Sequence, residues 1–204
     1  MACFLAIAAC AAGFADEWTP FESDASLGDT FVRLRDELWA LDDVFWHRGE
    51  YDHCIATLRM ITMVDPGDCQ AYDNEAWLLQ NDFKDDEAES VLREGLRNNP
   101  DSYEMYFNLG HFLYMHQRYE DAVEVLETAV TFDCPFFVHN MLAHAHELAG
   151  RPGEALNIWL EQEAMQEDSG VPELQIDRIL SGGEPSQIPA TIQRWRADRK
   201  ARSN

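Results

Sequence analysis

The chain repeats itself every 34 residues, and this period constrains its fold more than any other feature. Pro66 and Pro100 lie one period apart, and Leu58, Leu92 and Leu126 keep the same interval. Cys54, Ala88 and Ala122 form a row of small residues. Leu38, Tyr72 and Tyr106 form a large apolar row, and Phe45, Leu79 and Leu113 another. A fourth unit arrives one residue early, with Ala155 in the small row. Within a unit the apolar residues keep helical spacing. Tyr106, Leu109 and Leu113 fall on one face, and Ala122, Leu126 and Ala129 form the face of a second helix. Gln117-Arg118-Tyr119 supplies the turn between them. Asn99-Pro100-Asp101 and Asp65-Pro66-Gly67-Asp68 close units, because proline cannot continue a helix and Asp can cap the next one. Each unit therefore reads as a helix–turn–helix hairpin. One hairpin cannot bury its own apolar face, so neighbours must stack.

These residues resemble the tetratricopeptide repeat. The third unit carries the resemblance best, in Tyr106, Leu109, Gly110, Tyr119, Ala122, Leu126 and Ala129. The first matches with Leu38, Leu41, Gly49, Tyr51, Cys54, Leu58 and Pro66, and the second with Tyr72, Ala76, Ala88, Leu92 and Pro100. The fourth matches with Leu142, Ala143, Gly150, Ala155 and Trp159. Departures are Asp42 at a small position, Glu75 at an apolar one, and Gln162 where alanine is usual. The resemblance implies an all-α, right-handed α-solenoid of stacked hairpins over residues 35–169, divided as 35–68, 69–102, 103–135 and 136–169. Residues 16–34 read as a polar lead-in. Ile188, Ile192 and Trp195 share one helical stripe, so residues 170–204 read as a degenerate fifth hairpin, a capping helix pair that covers the last interface. The tail from Arg194 to Arg202 is basic and suits a helix C-terminus and an acidic body.

The body is acidic, with a formal net charge of −23. Phosphate backbones would be repelled, which excludes nucleic acid as a partner, and a basic partner is favoured. Residues 1–15 carry no charged side chain and are too few to span a bilayer. They suit a secretory signal cleaved after Ala15. Alternatively, Ile7-Ala8-Ala9-Cys10 resembles a lipobox, which would make Cys10 a lipid anchor. The protein is thus expected to be exported, periplasmic or secreted, or else a membrane-anchored lipoprotein. Beyond the leader three cysteines remain and no C-x-x-C pair exists, so Cys54 reads as a packing residue.

In the family the first helix of each hairpin lines a concave groove. Carried over by position, this gives Trp39, Asp43, Trp46 and His47 in the first unit, and Asp73, Trp77 and Asn81 in the second. It gives Phe107, His111 and Tyr114 in the third, and Asn140 and His144 in the fourth. The set is aromatic and acidic and holds no Lys or Arg. It suits a peptide or protein segment with apolar anchors beside basic residues. The competing reading makes Trp39, Trp46 and Trp77 packing residues between hairpins. No nucleophile constellation or phosphate-binding loop appears, so no enzyme activity and no cofactor are expected. A second function class would be a metal-binding protein or hydrolase using His111, His144 and His146, although these lack H-E-x-x-H spacing.

Overall fold

The computed structural model describes residues 26–165 and 170–203. The leader expected over residues 1–15 lies outside them. Among the described residues there are ten helices and no strand. Four hairpins follow in order: α1 (Leu27–Arg48) with α2 (Tyr51–Val64), α3 (Cys69–Asn81) with α4 (Asp85–Asn98), α5 (Tyr103–Met115) with α6 (Tyr119–Ala129), and α7 (Phe136–Leu148) with α8 (Pro152–Met165). Two further helices, α9 (Val171–Leu180) and α10 (Ile188–Ser203), complete the chain.

The same turn closes every hairpin. Gly49, Phe83, Gln117 and Gly150 take left-handed backbone at φ 70°, 61°, 61° and 79°. The next amide then reaches back across the helix end: Glu50 to the Phe45 carbonyl at 3.0 Å, and Lys84, Arg118 and Arg151 to Leu79, Leu113 and His146, each at 2.9 Å. This is the helix-ending motif that glycine favours. Phe83 and Gln117 adopt it at a cost of about 1–2 kcal/mol each.

The repeated rows form the interior. Cys54, Leu58, Ala88, Leu92, Ala122, Leu126 and Ala155 are all essentially inaccessible. Gly110 shows why one position must be small, since a Cβ there would lie 2.6 Å from Leu126 Cγ. One buried polar departure from the pattern is paired across hairpins. Glu75, buried on α3, accepts from Arg59 Nε on α2 at 2.6 Å. Each second helix packs on the first helix of the next hairpin. First helices also approach one another backbone to backbone, α3 with α5 and α5 with α7, whereas second helices meet through long side chains such as Arg59 with Glu87. The stack therefore curves with its first helices on the inside.

Both ends differ from the sequence expectation. α1 begins at Leu27 inside the expected lead-in, because Ser26 and Asp29 form a reciprocal capping box there. At the other end, α9 packs on α8 through Ile176 against Trp159, Ala155 and Ala143. Arg178 fastens it to α7 by two contacts of 2.6 Å to Glu147. α10 is not the second half of a fifth hairpin. It makes no helix contact with α9 and lies instead against α5. Its stripe of Ile188, Ile192 and Trp195 is exposed rather than buried in the last interface. The turned-in face is Pro189, Gln193 and Arg196, which bonds polar groups at the ends of earlier helices.

Candidate functional site

The first helices of units one and two bring five of the expected groove residues together. Trp39, Asp43 and Trp46 from α1, with Asp73 and Trp77 from α3, line a cavity of about 550 Å³ that also meets Asp42, Leu58, Asn74 and Leu78. Helical spacing explains the grouping, because positions 39, 42, 43 and 46 share one face of α1. Trp39 is fixed by its indole N–H, which donates to Asp68 Oδ2 at 2.8 Å. Trp46 and Trp77 lie with ring centroids 5.7 Å apart, and Tyr51 meets Trp46 at 5.5 Å. Trp46 and Trp77 remain 43% and 51% exposed, so packing between hairpins does not consume them.

The groove's electrostatics are one-sided here. Burial pushes the carboxyls of Asp73 and Asp42 above the usual carboxylate range, and neighbouring Asp43 pushes Asp42 further. Burial also lifts the Cys54 thiol to about 11, consistent with a packing role. His47 caps the helix end by donating from Nδ1 to the Asp43 carbonyl at 2.8 Å.

The remaining expected residues spread along the array. Phe107 and His111 stack at 6.1 Å, and Phe107 meets Phe137 edge-on at 5.0 Å. Phe107 and Phe137, with Gln70, Asp73 and Glu104, border a smaller cleft between α3, α5 and α7. Tyr114 is buried rather than exposed in the groove; it packs on Tyr119 and hydrogen-bonds Ser186. Asn140 is half-buried, and His144 turns its ring against Trp159 at 5.1 Å. The histidines of the metal reading do not converge. His111 stacks on Phe107, His144 meets Trp159 edge-on, and His146 faces Glu127 at 3.7 Å. Among the described residues no group of three metal-ligating side chains could hold an ion.

Sequence reasoning missed the part played by α10. The groove positions themselves hold no cation, yet the tail brings cations to the end of α3. Arg196 pairs with Asp85 and donates to the Gln80 carbonyl at 2.9 Å. Arg196, Lys200 and Arg199 sit 5.4, 5.9 and 6.0 Å from the centre of the Phe83 ring. Arg199 also lines a cleft with Trp77 and Asn81. Gln193 donates to the Met115 carbonyl at 2.7 Å. The basic composition of residues 194–202 was the only available signal.

Hairpins stacked with their first helices inward define an α-solenoid, a class that works through its extended concave surface. Residues 84–135 match the family model described as Tetratricopeptide repeat. These residues carry the repeat, and the array as a whole has the α-solenoid fold of the solved structures it is similar to. Similar solved structures include PilF of Pseudomonas aeruginosa, at 20% identity and TM-score 0.62, covering 75% of this chain and 70% of that one. A MamA protein aligns at 15% identity and TM-score 0.60, covering 72% and 81%. TTC0263, a thermophilic repeat protein of the same kind in Thermus thermophilus, aligns at 16% identity and TM-score 0.56, covering 75% and 88%. No curated protein matches at the sequence level.

Proposed function

We propose that the chain is a non-catalytic scaffold whose concave face holds a peptide or protein segment with apolar anchors beside Lys or Arg. The observation that carries this reading is the cavity between α1 and α3, where Trp39, Trp46 and Trp77 stand beside Asp43 and Asp73. Large rigid rings beside acids are what a basic, apolar segment would bury against at low entropy cost. The units carrying this face are residues 35–169, and Asn81, Phe107, His111, Asn140 and His144 extend it.

Tryptophan fluorescence of the full chain, titrated with a peptide of alternating Leu and Arg, tests the reading. The signal should saturate, and Trp77→Ala should weaken the affinity by roughly tenfold or more. An affinity unchanged by Trp77→Ala, or shared equally by a Leu/Glu peptide, removes it.

Export is part of the proposal and rests on the uncharged segment Met1–Ala15. Among the described residues no helix is long and apolar enough to cross a membrane. The intact mass of the mature protein is expected to correspond to a chain starting at Asp16. An acylated Cys10 would favour the lipid-anchored alternative, and an uncut Met1 would refute both.

A further inference from the structure

Position 42 is where the first unit departs from its own repeat. Ala76, Gly110 and Ala143 hold the equivalent place in the next three units, and all are buried. They are small because the second helix of the hairpin passes close by, as the contact of Gly110 with Leu126 shows. In the first unit this slot holds a carboxylate. Asp42 is 8% exposed, and its Oδ1 accepts no hydrogen bond. The Cys54 thiol, a weak donor, stands beside it and reaches the Asp42 backbone carbonyl at 3.8 Å. No Lys, Arg or His forms an ion pair with it among the described residues. A buried carboxylate without a cation is among the costliest placements in a folded chain. It is retained where a small apolar residue would fit, as the other three units demonstrate.

Asp42 lines the same cavity as Trp39, Trp46, Trp77, Asp43 and Asp73. The cavity therefore combines a carboxyl at depth without a cation, aromatic faces around it and two further acids. That combination matches a planar cation, which stacks on rings through its faces and donates through its edge. An ammonium would satisfy the charge but could not stack and donate together in this way.

We infer that the cavity between α1 and α3 is a receptor for an arginine side chain of the bound partner, with Asp42 as the acceptor of its guanidinium. The inference rests on the groove reading above and names the chemistry of one anchor. It also assigns the partner's arginine to the first interface of the array, because α10 already brings cations to the end of α3.

N-acetyl-arginine N-methylamide serves as the probe, and the citrulline analogue as its neutral isostere. Binding to the full chain is read from the tryptophan indole signals in ¹H–¹⁵N spectra. The arginine probe should shift the signals of Trp46 and Trp77 saturably, and citrulline should bind at least roughly tenfold more weakly. Asp42→Asn should abolish that discrimination. Should the Asn variant not fold, Asp42→Ala restores the residue of the second unit; it should raise the melting temperature while losing the arginine preference. Equal binding of the two probes, no saturable shift, or variants that keep the preference would overturn the inference. If the Leu/Arg peptide still binds through Trp77 and ignores Asp42→Asn, the arginine receptor fails and the groove reading stands. If no peptide binds, the groove reading itself fails.

Discussion

Alanine at Arg178 is expected to free the C-terminal cap and lower the first thermal transition by on the order of 10 °C. The reason is the surroundings of Glu147, whose side chain is only 6% exposed and is met by Nη1 and Nη2 of Arg178 at 2.6 Å. Removing one partner leaves a buried charge unmatched, which costs about 3–5 kcal/mol. Arg178 also donates to Gln175 and to the Glu184 carbonyl, so the loop after α9 loosens with it. In a linear array only the neighbouring unit feels the loss directly. Circular dichroism should therefore show an early partial transition before the main one. Replacing both partners together, Glu147→Leu with Arg178→Met, should recover much of the loss, because the cost comes from the orphaned charge. A single-variant melting curve that overlays the wild type would show that the pair does not hold the cap.

Trp159→Ala should destabilise the same end by about 3–5 kcal/mol, the range for truncating a buried aromatic core residue. Trp159 is fully buried and is the side chain on which Ala143, Ala155 and Ile176 converge. Its loss opens a cavity between the fourth hairpin and α9 and leaves His144 without the ring it rests on. The two variants act on one interface, so their combined effect should fall short of the sum. Denaturant unfolding of the two single variants and the double variant measures this. Full additivity would mean that Trp159 and Arg178 support separate structures.

Much of this architecture can be read from residue spacing. The rows through Cys54, Ala88 and Ala122 and through Leu58, Leu92 and Leu126 mark the interior, and all six side chains are buried. The pattern is legible because helix faces recur locally and each hairpin meets only its neighbours. The turns were less plain. Gly49 and Gly150 announce a left-handed residue, whereas Phe83 and Gln117 occupy the same place without any sequence signal. The groove aromatics on α1 and α3 were identifiable by position, but Tyr114, at an equivalent place on α5, is buried beneath Tyr119 and Ser186.

By itself the sequence determined the period, the helical hairpins, the small and large core positions and the acidic character of the chain. These are local consequences of side-chain size, spacing and charge. Only the tertiary structure decided where α10 lies, since Arg196 reaches Gln80 across 116 positions through polar bonds that follow no period. It alone also showed that Asp42 is enclosed without a cation, because burial and pairing belong to the assembled neighbourhood and not to the residue.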